Sequence, residues 1–156
     1  MRVFEEIFFS FTFAGEVASM AAAMKVLDIL ENTDALARME ANGRTLQDGF
    51  NTLANEAGLS GRLQATAHPT WSLLKFRGGD GNDSPLVKSL FQQEATKRGI
   101  LLLATHNLSA AHALADVHQT LEVYAEVFKT LSAWLQDPDP ARFLEGPMIQ
   151  PVFRVR

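Results

Sequence analysis

The hydrophobic positions of the first third of the chain follow a helical period. From Glu16 onward, small and apolar residues recur every three or four positions, which predicts an amphipathic helix of about four turns. Cap-type side chains at 32–34 separate it from a longer helical pattern that ends at Gly58. Gly43 and Gly49 interrupt the longer pattern at a cost in helix propensity, so we expect a close packing contact at one of them.

The pattern then changes to short β-type runs. Two of them, at 63–67 and 71–76, flank three turn-type residues and predict a hairpin or two neighbouring strands. The glycine-rich stretch at 78–83 predicts an exposed loop. After it, Ser84 is placed to cap a helix that begins at Pro85.

The last third continues the alternation of strands and helices. Five apolar residues at 100–104 predict another strand, and the helical period returns from Asp116 to Gln136. Two prolines in the stretch 137–140 end that helix. The order of elements predicts an α+β fold, with a small three- to four-stranded, largely antiparallel sheet covered by helices and preceded by a long helix pair.

The two ends of the chain are more apolar than free termini usually are. Seven apolar residues lie between positions 3 and 13, and the tail is similarly apolar. We therefore expect an interface segment with a threonine loop at 1–15, a small domain at 16–146 and a packed tail at 147–156. Both ends are expected to pack on another domain.

Composition excludes several classes of function. The 156 residues carry 14 Lys and Arg against 18 Asp and Glu, a net charge of -4, which argues against a nucleic-acid-binding surface. No apolar run approaches the ~20 residues of a membrane-spanning helix, and the first residues lack the basic leader of a signal peptide. The absence of cysteine excludes disulfides and thiolate sites and fits a cytoplasmic protein.

The residues that could carry catalysis are few. The histidines include no pair spaced along one helix face, so we interpret them as solvated loop residues and not as metal ligands. Ser109 and His112 are close in sequence, but we place them along a loop and not in the geometry of a nucleophile and its base. The glycines at 78–81 lack the lysine of a phosphate-binding loop and predict a turn. The four histidines are His68, His106, His112 and His118.

The loop at 10–15 is more informative. Ser10, Thr12 and Gly15 precede a long helix whose first amide groups have no partner within the helix. A hydroxyl, free amides and the positive end of the helix could hold a phosphate there. The alternative is that Ser10 or Thr12 only caps the helix or satisfies local backbone groups.

The same segment carries a resemblance to a known family. The sequence 9–24, followed by Val-Leu-Asp-Ile-Leu at 26–30, resembles the start of the C-terminal part of class III (fold-type I) pyridoxal-phosphate (PLP)-dependent aminotransferases, particularly the glutamate-1-semialdehyde 2,1-aminomutase-like branch. Further similar segments are Gly-Arg-Thr-Leu at 43–46, Lys-Arg-Gly-Ile at 97–100 and Leu-Ser-Ala-Ala-His at 108–112. The sequence departs from the family pattern at Phe11 and Glu16, where many members have Gly and Asn.

The resemblance implies a division of roles. In the family, the lysine that binds the cofactor covalently and the aspartate that pairs with its ring lie upstream of the threonine loop, in a large domain. The threonine reaches across a homodimer to the cofactor phosphate, a role that carries over to Thr12, with the backbone at Phe11 or Phe13 as a weaker candidate. All five lysines of this chain follow Thr12, and we predict four of them on helices and one on a strand.

We therefore expect this chain to be the C-terminal small domain of a PLP-dependent aminotransferase or aminomutase. Its partners would be the large domain of the parent enzyme and a second subunit. PLP would be the cofactor of the full-length parent, and the chain alone would neither bind it stably nor catalyse amino-group transfer. The alternative is a stand-alone, non-catalytic interaction or dimerisation module.

Overall fold

The first unit of the fold is built around one exposed helix. A computed structural model describes Thr12 and residues 16–150 and divides the chain into two units, 1–36 and 37–156. The predicted first helix is confirmed as α1 (Val17–Asn32), and Thr33 ends it by donating its hydroxyl to the carbonyl of Ile29 at 2.6 Å. No side chain of α1 is buried, so the helix forms without the covered apolar face that an amphipathic pattern predicts.

The second unit has the predicted α+β architecture. Its sheet has three antiparallel strands in the order β1-β2-β3, which confirms the predicted fold class and strand number. The predicted hairpin is also confirmed, since β1 and β2 are consecutive and pair directly. The elements are α2 (Ala35–Glu56), β1 (Leu63–His68), β2 (Trp71–Phe76), α3 (Pro85–Lys97), β3 (Thr105–Asn107), α4 (Leu114–Trp134) and a 3₁₀ turn (Pro140–Phe143).

The core lies on one face of this sheet. Because side chains alternate along a strand, β2 directs Ser72, Leu74 and Phe76 inward and leaves Trp71, Leu73 and Lys75 exposed. Aromatic rings from the three helices meet the inner face, and the ring of Phe50 contacts that of Phe128 edge to face at 4.9 Å. The rings of the central cluster are those of Phe50, Phe76, Phe91, Tyr124 and Phe128.

Helix α2 packs closely against the hairpin and α4, at both glycines. A Cβ atom on Gly43 would lie 2.3 Å from the carbonyl oxygen of Pro69, and one on Gly49 would lie 2.7 Å from the methyl groups of Leu121. The expected close contact is confirmed, and at both positions. Asn51 adds a polar link, because its side-chain amide bonds both the N–H and the carbonyl of Ala65.

The ends of the other helices follow their sequence signals. Ser84 caps α3 by accepting a hydrogen bond from the amide of Val87 at 3.2 Å, and Pro85 occupies the first turn, as predicted. Gly58 follows α2 with a φ of 71°, in the left-handed region that favours glycine. The described part of the tail touches α3, where the amide of Ile149 donates to the hydroxyl of Ser89 at 2.9 Å.

The prediction of a strand at 100–104 is wrong. This segment is irregular, and the third strand, β3, begins only at Thr105. Leu101 and Leu103 are 86% and 81% exposed, so the apolar run is not a buried strand. Ala104 has a φ of 75°, a left-handed conformation that is uncommon for a residue other than glycine. Apolar character alone does not set the backbone here.

Candidate functional site

Thr12, the predicted phosphate contact, lies in an exposed turn before α1. Phe11, the second predicted cofactor contact, lies outside the described residues, as does Phe13. The role of both positions toward a cofactor therefore stays a prediction. The structure does describe the start of the helix that follows them.

The first amides of α1 already hold an anion from the chain itself. The carboxylate of Glu16 accepts hydrogen bonds from the amides of Ala18 at 2.8 Å and Ser19 at 2.6 Å. Hydrogen bonds from Ser19, and from the amide of Ala18, lower the pKa of the Glu16 carboxyl. These are the amides that the sequence leaves open for a phosphate, so Glu16 competes with any anion that binds there. An acidic residue directly before the helical period is the sequence signal for this cap.

The five lysines provide no buried amine. Four lie on helices and one on a strand, as predicted. Lys25 and Lys97 form ion pairs with Asp28 and Glu145, and the bond with Glu145 raises the pKa of Lys97. A lysine that bonds a carbonyl covalently needs a neutral amine, which burial favours and an ion pair opposes. The described residues could therefore contact the phosphate of PLP, but none of the five lysines is suited to bond its reactive carbonyl.

A second polar site lies inside the core, around His106. One ring nitrogen of His106, Nδ1, shares a hydrogen bond with the hydroxyl of Ser72 at 2.8 Å, and the other, Nε2, shares one with the hydroxyl of Tyr124 at 3.0 Å. All three side chains are buried, and the rings of His106 and Tyr124 stack at 5.8 Å. The prediction that His106 is a solvated loop residue is wrong.

The burial fixes the charge state of this network. Burial lowers the pKa of His106 to about 4 and raises the pKa of Tyr124 above its usual value, so both groups are neutral near pH 7. Position 106 faces inward because it pairs with Ser72, the one polar residue on the inner face of β2. That serine in an otherwise apolar alternation is the sequence signal that indicates a buried polar partner.

His106 and Tyr124 line a cleft of about 410 Å³ with two groups near the start of α4. One is His112, whose Nδ1 accepts from the amide of Ser109 at 2.9 Å and shares a bond with its hydroxyl at 3.0 Å. The other is Asp116, which accepts from the amide of Ala113 at 2.7 Å. Ser109 and His112 lie along a loop, as predicted, and their side chains are within hydrogen-bond distance there. The same ring nitrogen accepts from the amide of Ser109, so the imidazole stabilises the loop.

The remaining histidines are exposed. His68 is the last residue of β1 and bonds Thr70 at 3.0 Å, and His118 lies on α4. Both therefore belong to regular elements and not to loops. Among Thr12 and residues 16–150, no three His, Asp or Glu side chains form a group that could hold a metal ion. Within the same residues, no helix has the length and apolar character to cross a membrane.

Comparison with known proteins agrees with the sequence resemblance. No protein-family model matches the chain. Glutamate-1-semialdehyde 2,1-aminomutase of Methanococcoides burtonii is 30% identical over 126 residues, which cover 73% of this chain and 29% of that protein. The enzyme of the same name from Sulfurihydrogenibium azorense is 28% identical over 131 residues, covering 77% and 30%.

A solved structure extends the similarity to the fold. The FumI protein of Sphingopyxis sp. MTA144, solved in its PLP internal aldimine form, matches 88% of this chain with a TM-score of 0.73 and 26% identity. This chain is similar in sequence to glutamate-1-semialdehyde 2,1-aminomutases and in fold to FumI. It spans about 30% of the length of the curated aminomutases that it matches and 33% of the FumI chain.

Proposed function

We propose that this chain is the C-terminal small domain of a PLP-dependent aminotransferase or aminomutase. The parent would move an amino group between an amino donor and a keto or aldehyde substrate. The observation that carries the proposal is the match to FumI, which covers nearly all of this chain but only a third of a PLP-containing protein. The large domain of the parent, a second subunit and a cytoplasmic location belong to the same proposal.

In this assembly the chain would contribute to cofactor binding and not to bond making. PLP supplies the electron sink for amino-group transfer when it is bound. The hydroxyl of Thr12 would donate a hydrogen bond to its phosphate across the dimer interface, beside the positive end of α1. Glu16 would have to leave the amides of Ala18 and Ser19 if the phosphate used them as well.

A chimera tests the proposal. This chain would replace the matching third of the Methanococcoides burtonii aminomutase, and PLP binding would be followed by its visible absorbance. We expect the chimera to retain bound PLP and measurable amino-group transfer, while the same enzyme without its matching third has neither. A folded chimera that binds no PLP would contradict the proposal.

One observation favours the alternative, a stand-alone association module. The apolar side chains of α1 are uncovered among the described residues, with Val17 and Met24 70% and 67% exposed. Sedimentation velocity of the isolated chain, with a Val17→Ser/Met24→Ser variant as control, tests it. A dimer that the double substitution dissociates would support association through α1, and a monomer at all concentrations would exclude it.

A further inference from the structure

Strand β3 forms one edge of the sheet, and the outer side of this strand is open. On either side of β3, the carbonyl of Ala104 and the amide of Leu108 bond the neighbouring β2 side of the sheet. Since bonded positions alternate along an antiparallel strand, His106 also turns its backbone groups toward β2, and Thr105 and Asn107 turn theirs away. Within the described part of the second unit, no group bonds these four outward amides and carbonyls.

The opposite edge of the sheet, on β1, shows how this fold covers a strand. The side chain of Asn51 bonds both backbone groups of Ala65, and the side chain of Gln47 donates to the carbonyl of Ala67 at 3.1 Å. Helix α2 thus satisfies outward groups of β1. Because β3 has no such cover among the described residues, its edge is able to pair with an extended segment.

The cleft of about 410 Å³ beside His106 borders this open edge. Leu101 and Leu103 line it with largely exposed side chains, and Val117 and Tyr124 form its buried wall. Directly opposite residues of neighbouring strands lie on the same face of a sheet, so a residue opposite His106 on an added strand would direct its side chain into the cleft. Edge and cleft together therefore fit an extended segment with an apolar residue at that position.

A second copy of the chain would not use both features. By two-fold symmetry it would place its own His106 opposite His106, and that ring is already bonded to Ser72 and Tyr124 in its own core. The cleft would then stay empty. The chain spans about 30% of the length of the aminomutases that it matches, so under the proposed function most of the parent polypeptide lies outside it and is available to supply the segment.

We propose that an extended segment of the parent enzyme, from the part outside this chain, adds to the open edge of β3 as a further strand. Its backbone bonds the outward amides and carbonyls of Thr105 and Asn107, and one of its apolar side chains fills the cleft beside His106. This contact presupposes the proposed function, and it assigns to the small domain a surface by which it joins the rest of the enzyme.

Amide hydrogen exchange at single-residue resolution tests the proposal in the isolated chain and in the chimera with the Methanococcoides burtonii aminomutase. In the isolated chain, the amides of Thr105 and Asn107 should exchange rapidly, while the amide of His106 is protected by its bond to β2. In the chimera, the two outward amides should exchange at least about a hundredfold more slowly. Co-expression of this chain with the aminomutase that lacks its matching third gives the same readout without a fused junction.

Two substitutions on α4 test whether a side chain enters the cleft. Thr120 lines the cleft, and Thr120→Phe would fill it. Thr130→Phe is the matched control, because both threonines are half-buried and each donates its hydroxyl to the carbonyl four residues before it. In the chimera, Thr120→Phe should reduce the protection of the two outward amides about tenfold, and Thr130→Phe should leave it within about twofold.

The possible outcomes separate this contact from the proposed function. Rapid exchange of both outward amides in a chimera that holds PLP would overturn the added strand and leave the proposed function standing. Protection in a folded chimera that holds no PLP would support the added strand and count against the proposed function. Protection already in the isolated chain would assign the edge to this chain or to a second copy, and equal loss in the two threonine variants would exclude the cleft. Either of these last two results overturns the proposal.

Discussion

The imidazole of His106 lies in a network with two hydroxyls and no carboxylate, so nothing in the network compensates a positive charge on the ring. Burial holds its pKa at about 4, against a usual value near 6.5. The unfolded chain therefore binds the proton more readily than the folded chain. The neutral His106 ring therefore contributes stability to the fold that is complete above pH ~6.5 and is lost as the pH falls toward 4.

We predict that the free energy of unfolding falls by about 2 kcal/mol between pH 7 and pH 5 because of this one residue. Urea denaturation at the two pH values measures it. His106→Gln should remove most of the difference, whereas His68→Gln, at an exposed position, should keep it. An unchanged pH dependence in His106→Gln would mean that the ring is protonated in the fold or that other groups dominate.

The loop before α1 provides a pair of substitutions with opposite expected effects in the chimera. Thr12→Val removes a hydroxyl donor and should weaken PLP affinity by ~1.5–3 kcal/mol if the hydroxyl bonds the phosphate. Glu16→Asn keeps a capping side chain but removes the competing carboxylate, so the affinity should rise.

Equilibrium dialysis of PLP measures both changes. A hybrid dimer tests whether the threonine acts across the interface. It combines a Thr12→Val subunit with one that lacks the covalent lysine, and one of its two sites should then bind PLP normally. Equal weakness of the hybrid and the Thr12→Val homodimer would exclude a contact between subunits.

At the scale of elements, the contact between α2 and the hairpin depends on Gly43. Alanine at this position would gain up to ~1 kcal/mol of helix propensity. It would also place a Cβ atom 2.3 Å from the Pro69 carbonyl, a backbone group that cannot move away without shifting the turn. We predict a net loss of about 1–3 kcal/mol in the free energy of unfolding for Gly43→Ala.

Gly49→Ala is the matched control on the same helix. Its Cβ would meet the methyl groups of Leu121, which can rotate, so we expect a smaller loss than for Gly43→Ala. Chemical denaturation compares the two variants. Equal stabilities would show that the turn at Pro69 yields as easily as a side chain.

For the whole molecule, we predict no specific PLP site in the isolated chain. None of its lysines is buried, and a covalent bond to the cofactor needs an amine held in a prepared pocket. Titration with PLP should give no saturable visible band that survives dialysis and disappears on borohydride reduction. A single stoichiometric band of that kind would assign a covalent role to one of the five lysines.

Sequence patterns predicted most of this fold because the local signals agree with the packing. Ser84 with Pro85 begins a helix, Gly58 follows one, and alternation along β2 sets its inner face. The prediction of a strand at 100–104 was wrong because it rested on apolar character alone. The backbone there depends on the left-handed conformation of Ala104 and on the hydrogen bond from the amide of Leu74 to the carbonyl of Ala104.

The buried site was harder to predict than the elements. The partners of His106 lie 34 residues before it and 18 residues after it, so no local spacing brings them together. Position 106 also lies in a three-residue strand of polar residues, which has no apolar alternation to show its inner face. The capping role of Glu16, in contrast, depends on neighbours within three residues.

The polar links between α2 and the hairpin also bear on the order of folding. The side chains of Gln47 and Asn51 reach backbone groups of β1 that are only 20 and 14 residues away. Closing such short loops costs little entropy, whereas β3 joins β2 over 34 residues through His106 and Ser72. We expect α2 and the hairpin to form the folding nucleus and β3 to dock later. In pulsed hydrogen exchange during refolding, the amide of Ala65 should then gain protection before that of His106.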